Sequence, residues 1–568
     1  MFPSGSRKLF GALSLGSLLV AASSCHDDPP APVPEPTPEP VRVQVLAFND
    51  FHGNLEAPSG SNGRIKVRTE NGGTADVNAG GAAFLAHHLQ ALRAQNPENT
   101  VVVSAGDLIG ASPLVSGIFH DEPTIQAMNM MGLDYNSVGN HEFDDGTQEL
   151  LRMQSGGCHP VDGCQASTNF PGATFQFLSA NVFTDLAARK TFFPAYGIRE
   201  FQGVKVAFIG MTLEGTPQIV APSGTKGLSF QDEADTVNAL VPELQAQGVK
   251  AIVVVIHEGG LPTGLYDECP GISGAIKDIV ERLDAEVDVV ASGHTHQAYN
   301  CVINGKRVTS AASYGRLITD IDLTLDPRTG DVVEADARNV VVTRETPDAA
   351  VEAFVQGIVA KAAPQRDKVI GNTPSELKGP VRPIPAGASG ESVLGNVVSD
   401  AMLAATREPA TGGAVIALQN SGGVRADINA GDITFGEAFA VQPFANNLVT
   451  LTLTGAQIDT LLEAQFQPSG TSILQPSRGF AFAWSASAPA GSKVDPASIK
   501  LDGVTLDPAA SYRVTVNNFM ASGGDGYTVL LEGKAPLTGA IDVDAVEAYL
   551  RANNPLSLPA LGRITLLP

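Results

Sequence analysis

Five short segments of this 568-residue chain concentrate side chains that bind cations and move protons. They are Asn49-Asp50-Phe51-His52, Gly106-Asp107, Gly139-Asn140-His141-Glu142-Phe143-Asp144, His257-Glu258 and Gly293-His294-Thr295-His296. Carboxylate, amide and imidazole groups in this mixture suit divalent ions, and Asp50, His52, Asp107, Asn140, His257, His294 and His296 are the candidate ligands. A pair of ions sharing one carboxylate would leave the site net positive, matched to a phosphate. It would also make hydroxide available near neutral pH for an in-line displacement. One such motif alone carries little weight, because Asp-x-His and Gly-His-x-His also occur in ordinary turns. Several in one chain, each after a strand-like run, are far harder to obtain by accident. Half of the 10 histidines lie in these segments; His26, His87, His88, His120 and His159 do not, and read as surface or structural.

The elements that must position these groups are legible around them. Strand-like runs cover 41–48, 100–104, 204–210, 250–256 and 287–291; the inner ones are continuous, rich in Val and Ile, and suit strands covered on both faces, a periodicity that a buried helix shares. They alternate with helix-like segments such as 82–93, so the fold class is α/β. In such folds sites form beyond the carboxyl ends of strands, where loops from distant parts of the chain converge. A helix follows with Thr346 as N-cap, Pro347 in the first turn and Pro364 at its end. Its apolar face is Val351, Phe354, Val355, Ile358 and Val359. A second body holds the Gly-rich stretch Asn420-Ser-Gly-Gly-Val-Arg425, a strand at 448–453 and the loop Ser522-Gly-Gly-Asp-Gly526. The expected organisation is a signal peptide at 1–24, a Pro-rich tether at 25–40, a dimetal body at 41–345, a connector helix at 346–366 and a second body at 367–568, to which the resemblance given below assigns substrate recognition.

Composition narrows the chemistry. The formal net charge is -24, an acidic balance that repels nucleic-acid polymers and leaves small anions as the expected partners, drawn by local positive charge. The N-terminus reads as an export signal: Arg7 and Lys8 precede a short apolar stretch from Leu9 to Val20. Cys25 then either resembles the lipidated first residue of a bacterial lipoprotein or lies near an ordinary cleavage site. The only expected link to a membrane is such an anchor. The segment 29–40 (PPAPVPEPTPEP) reads as an extended tether. The expected location is the periplasm or the cell surface. Four further cysteines in an exported chain suggest two disulfides, and pairing Cys158 with Cys164 and Cys269 with Cys301 closes the shortest loops. None has metal-ligand spacing.

The ordered motifs resemble the calcineurin-like metallophosphoesterases. Together with the second body, the chain is similar to the 5'-nucleotidase family from residue 41 to the C-terminus, with Asn140-His-Glu-Phe-Asp144 and Gly293-His-Thr-His296 as its most specific motifs. The resemblance implies a four-layer α/β/β/α sandwich followed by a connector helix and a C-terminal α/β body. It implies that Asp50, His52, Asp107 and His296 hold one metal ion, and that Asp107, Asn140, His257 and His294 hold the other. His141 and Asp144 match the catalytic pair. Phe444 and Phe519 match two aromatics that sandwich a nucleobase, Asn420 and Arg425 match substrate contacts, and Asp525 matches a residue on the ribose hydroxyls. Ala445 stands where many relatives have Gly. An arginine expected before Gly395-Asn396 has no direct counterpart, Arg382 being the nearest candidate.

The function so implied is an exported hydrolase releasing phosphate from nucleoside 5'-monophosphates or related nucleotides by attack of metal-bound hydroxide. The cofactors are two divalent ions: Zn, Mn, Fe or Co. Domain closure about the segment 364–371 is expected to accompany turnover. Rival activities are 2',3'-cyclic-nucleotide phosphodiesterase with 3'-nucleotidase action, UDP-sugar diphosphatase and a dimetal sulfur-ester hydrolase. A non-catalytic surface binding lipoprotein is the alternative from another class.

Overall fold

Along the strand Val41–Phe48 the side chains alternate between two cores: Val41, Val43, Val45 and Ala47 enter one, Leu46 and Phe48 the other. The same period of two leaves Arg42 exposed and Gln44 buried, so only the C-terminal half of the segment, from Val45 to Phe48, reads as continuously apolar. The computed structural model describes residues 38–58, 60–69, 71–220, 223–444, 446–467 and 470–568. The signal-peptide segment, Cys25, most of the Pro-rich tether and Ala445 lie outside these residues. Among the described residues, no helix is long and apolar enough to cross a membrane.

Two six-stranded sheets form the centre of the first body. One has the order Asp331–Val341, Leu317–Asp326, Val41–Phe48, Thr100–Ser104, Tyr135–Ser137, Gln176–Leu178. Its last four strands are parallel, with Val45 opposite Val101 and Val103 opposite Tyr135. The other has the order Ala298–Ile303, Lys306–Ala311, Val287–Ser292, Ala251–His257, Val204–Thr212, Tyr196–Phe201, with a parallel centre. The sheets pack face to face through Val43, Val45, Val101, Phe208, Val253 and Val289. Helices Ala82–Arg93 and Glu122–Met131 cover the outer face of the first, and Glu233–Ala246 and Ala275–Arg282 the outer face of the second. The result is the four-layer α/β/β/α sandwich.

The connector helix differs from its sequence reading in where it starts and in running through Pro364. It spans Ala349–Arg366 with Asp348, not Thr346, as its cap, because the Asp348 carboxylate accepts from Ala350 N at 3.1 Å and Val351 N at 2.9 Å. Pro364 does not end it. A proline in the last turn removes only one hydrogen bond there, and burial of Val355, Ile358 and Ala362 in the first core holds the helix onward. Only Asp367 and Lys368 separate it from the strand Val369–Thr373.

The second body is built on a five-stranded mixed sheet of order Gln475–Pro476, Ile416–Gln419, Ser511–Asn517, Asn447–Thr454, Lys534–Ile541. Helices Val393–Thr406 and Asp542–Ala552 cover one face and Gly455–Glu463 the other. The structure joins Cys158 to Cys164 and Cys269 to Cys301.

Candidate dimetal site

Each candidate ligand lies at or just beyond the carboxyl end of a strand. Asp50 and His52 follow Val41–Phe48, Asp107 follows Thr100–Ser104, Asn140 follows Tyr135–Ser137, His257 ends Ala251–His257, and His294 and His296 follow Val287–Ser292. Asp50, His52, Asp107, His294 and His296 all adopt left-handed backbone, with φ of 50°, 46°, 52°, 68° and 55°. Such conformations cost roughly 1–3 kcal/mol each and persist only where the surroundings impose them, so their concentration here marks a built site. Gly106 permits the approach of two loops: a Cβ on it would stand 2.6 Å from His257 Nδ1.

The ligand atoms form two groups. Asp50, His52 and His296 each offer an atom within 4.8 Å of the others, and so do Asp107, His257 and His294. Asp107 Oδ2 lies between them, 3.1 Å from His257 Nε2 and 3.6 Å from His52 Nε2. Its Oδ1 accepts from His141 N at 3.0 Å. Asn140 Oδ1 is 3.1 Å from both His257 Nε2 and His294 Nδ1. His52 Nε2 faces His296 Nε2 at 3.1 Å.

Two backbone carbonyls set the tautomers. His52 Nδ1 donates to Gly110 O at 2.8 Å and His257 Nδ1 to Ala105 O at 2.7 Å, so each Nε2 turns a lone pair inward. The His257 lone pair then meets acceptor oxygens of Asp107 and Asn140, an arrangement that demands positive charge between them. Burial opposes charge on His257, yet Asp107 overrides it and pushes the imidazole up to about 10. Burial raises Asp107, but His257, His141 and His52 hold it well below the usual carboxylate range. His294 is pushed down to about 4 by burial and by His257, and burial likewise lowers His52 and His296. Imidazoles held neutral at His52, His294 and His296, with positive charge favoured between His257 and Asp107, fit two divalent ions, with Asp107 able to touch both.

Of the remaining predicted residues, His141, Asp144, Phe444 and Arg425 lie together beside the ligands, Asn420 and Asp525 meet each other, and Phe519 packs within the second body. His141 Nδ1 and Asp144 Oδ2 are 2.7 Å apart. Burial would lower His141, but Asp144 and Asp107 outweigh it and raise its pKa. From the second body, the Phe444 ring stacks on His141 and lies 5.7 Å from the Arg425 guanidinium. Asn420 Nδ2 donates to Asp525 Oδ2 at 2.8 Å, and Asn517 Nδ2 to Asn420 Oδ1 at 3.0 Å. Phe519 packs against Gly524, where any Cβ would collide with its ring.

Two supporting residues, Glu142 and Asn49, were given no role by sequence reasoning. Glu142 is buried and accepts from Asp107 N at 3.0 Å, Leu108 N at 2.8 Å and Gly139 N at 2.7 Å, tying the Asp107 and Asn140 loops together. Asn49 Nδ2 donates to Asp50 Oδ2 at 2.5 Å while its Oδ1 accepts from Ala311 N at 2.8 Å. Their only sequence signal is adjacency to a ligand. Arg382 is pushed down to about 10 by burial and by Arg425, and the Asp525 carboxylate opposes that shift. Two guanidiniums crowded together favour an anion between them.

Residues 43–298 match the calcineurin-like phosphoesterase family, and residues 369–532 match the 5'-nucleotidase C-terminal domain. The chain is 34% identical over 535 residues to endonuclease YhcR of Bacillus subtilis, covering 93% of this chain and 41% of that protein. It is 32% identical to cell wall protein Lmo0130 of Listeria monocytogenes, spanning 66% of it. The chain therefore spans less than two thirds of these two relatives. It is 26% identical over 501 residues to the 5'-nucleotidase of Vibrio cholerae, covering 81% of this chain and 84% of that one. Among solved structures, the 5'-nucleotidase precursor of Thermus thermophilus superposes with a TM-score of 0.73 at 28% identity, covering 93% of this chain and 99% of that one.

Proposed function

Because the chain belongs to the 5'-nucleotidase family, with a calcineurin-like phosphoesterase body and a 5'-nucleotidase C-terminal body, we propose that it hydrolyses nucleoside 5'-monophosphates or closely related nucleotides. The observation that carries this reading is Asp107, whose one carboxylate faces both ligand groups beside the His141–Asp144 pair. Asp50, His52, Asp107 and His296 would hold one divalent ion and Asp107, Asn140, His257 and His294 the other. Zn, Mn, Fe and Co all fit such nitrogen and oxygen donors. Bound there, the ions supply Lewis acidity and a nucleophilic water near neutral pH.

The protein's own groups do the rest. Asp144 fixes the His141 ring through Nδ1 and favours its charged form, so Nε2 holds a proton for a phosphoryl or departing oxygen. Arg425, with Arg382 beside it, binds the anion. Phe444 and Phe519 stack the base, and Asn420 and Asp525 take the ribose hydroxyls. The two disulfides and the N-terminal Arg7, Lys8 and Leu9 to Val20 stretch support export to an oxidising compartment, the periplasm or the cell surface, with Cys25 as the candidate lipid anchor.

The test is turnover of AMP, 2',3'-cyclic AMP and UDP-glucose by metal-reconstituted protein, followed as phosphate released from AMP and as nucleoside monophosphate formed from the other two. AMP is expected to be turned over. A chelator should abolish that activity, added metal should restore it, and Asp107→Ala should lower it by at least about 1,000-fold. No turnover of any of the three nucleotides would overturn the reading.

A further inference from the structure

A second set of ligating side chains lies apart from the dimetal site. His120, Glu149 and His159 each offer a donor atom within 4.8 Å of the other two. Asp162 adds a fourth group, its Oδ2 standing 2.9 Å from His120 Nε2 and 3.3 Å from His159 Nδ1. The two imidazoles stack with centroids 3.8 Å apart and 13° from parallel, which brings one nitrogen of each ring to the same carboxylate oxygen. Donors around a tetrahedral ion with bonds of about 2.0 Å are separated by about 3.3 Å, close to the two spacings between Asp162 and the histidines, with Glu149 within 4.8 Å of both rings.

Three separate segments supply these groups. His120 stands in the turn before helix Glu122–Met131, Glu149 on helix Thr147–Ser155, and His159 and Asp162 in the loop closed by the Cys158–Cys164 disulfide. His120 and Asp121 are both held in left-handed backbone, with φ of 54° and 57°. Glu149 pairs with Arg152, and Arg152 is also held by Glu122 at 2.6 Å and by Gly157 O at 2.7 Å. One Glu149 oxygen can therefore turn outward without leaving the guanidinium bare. The surroundings are rich in carboxylates: burial, followed by Asp144, Asp121 and Glu149, pushes Asp145 up to about 6.

We propose that His120, His159, Asp162 and Glu149 form a third metal site for a single zinc-class cation. Two imidazoles and two carboxylates are a donor set for a four-coordinate divalent ion of that class. The site has a structural role. Asp121, next to His120, accepts from Gly110 N at 3.0 Å, and Gly110 O accepts from His52 Nδ1 at 2.8 Å. A cation that fixes the His120 turn thereby steadies a carbonyl orienting a dimetal-site histidine.

The experiment measures zinc content of the full chain by mass spectrometry after zinc loading and dialysis. Wild type is expected to retain about three ions, and His159→Ala and Asp162→Asn about two. Asp107→Ala removes the shared carboxylate of the other site and isolates this one. Zinc added to chelator-treated Asp107→Ala protein should raise its Tm. That rise should be absent from the Asp107→Ala/His159→Ala double variant, while His159→Ala alone keeps nucleotide turnover within a few-fold of wild type. Equal zinc content in wild type, His159→Ala and Asp162→Asn would overturn the proposal. So would an equal Tm response in the Asp107→Ala single and double variants.

Discussion

The Phe444 ring of the second body lies 5.6 Å from the His141 ring of the first, 16° from parallel. A flat face from one body is thus laid, offset, against an imidazole of the other. In the proposed function this aromatic face receives the base. Stacking on an aromatic contributes about 1–3 kcal/mol per base. Phe444→Ala is therefore expected to raise KM for AMP by roughly 5- to 100-fold, with little change for a small phosphate ester that lacks a base. Equal losses on both substrates in steady-state kinetics would instead assign Phe444 to packing around His141.

In the proposed function Asp144 acts on the reaction only through His141, which it meets at 2.7 Å. Asp144→Asn keeps the size and a hydrogen-bonding side chain but removes the charge. The expected result is a fall in kcat of about 100-fold, the lower range for a positioned acid–base group. KM and bound metal should stay near wild type, since Asp144 lies outside both ligand groups. An unchanged kcat would remove Asp144 from the mechanism.

Glu142 has a different task, receiving three backbone N–H groups from the loops that carry Asp107 and Asn140. Glu142→Gln turns an amide donor toward one or more of them. Metal affinity is expected to fall about 10- to 100-fold, as for other groups that orient ligands. Unfolding free energy should drop by about 1–3 kcal/mol, the cost of a buried donor left unpaired. Competition against a chelator and urea unfolding measure the two effects.

Asp288 offers a pH signature remote from the ligands. Burial pushes its carboxyl up to about 8, with Asp331 and Glu286 adding to the shift while the Ile252 N–H and Lys306 oppose it. The folded protein thus keeps a proton that the unfolded chain releases near pH 4. The stability this group contributes is complete below that point and is lost as pH rises through about 8. Asp288→Asn retains an oxygen for Ile252 N, now bonded at 2.9 Å. The variant should match wild type near pH 4 and be more stable by roughly 1–3 kcal/mol at pH 9. Parallel denaturation curves at both pH values would show that the carboxyl is solvated.

Much of this protein is written in local sequence. The alternation of Val41, Val43 and Val45 against Leu46 and Phe48 dictates a strand buried on both faces. Motifs such as Asn140-His141-Glu142 carry donor types that few other chemistries need together. Side-chain chemistry and short-range periodicity are properties of neighbouring residues, so one chain suffices to read them. The ends of the connector helix were less legible, because the Asp348 cap and the passage through Pro364 depend on which face meets the core. Long-range pairing was decided only by the tertiary structure. No local signal says that Asp107 Oδ2 reaches both His257 and His52, that the Gly110 carbonyl fixes a histidine tautomer, or that Phe444 covers His141. The same holds for His120 and His159, which read as ordinary surface residues until folding and a disulfide stacked their rings beside Asp162. Distances between groups far apart along the chain are set by how sheets, helices and loops pack.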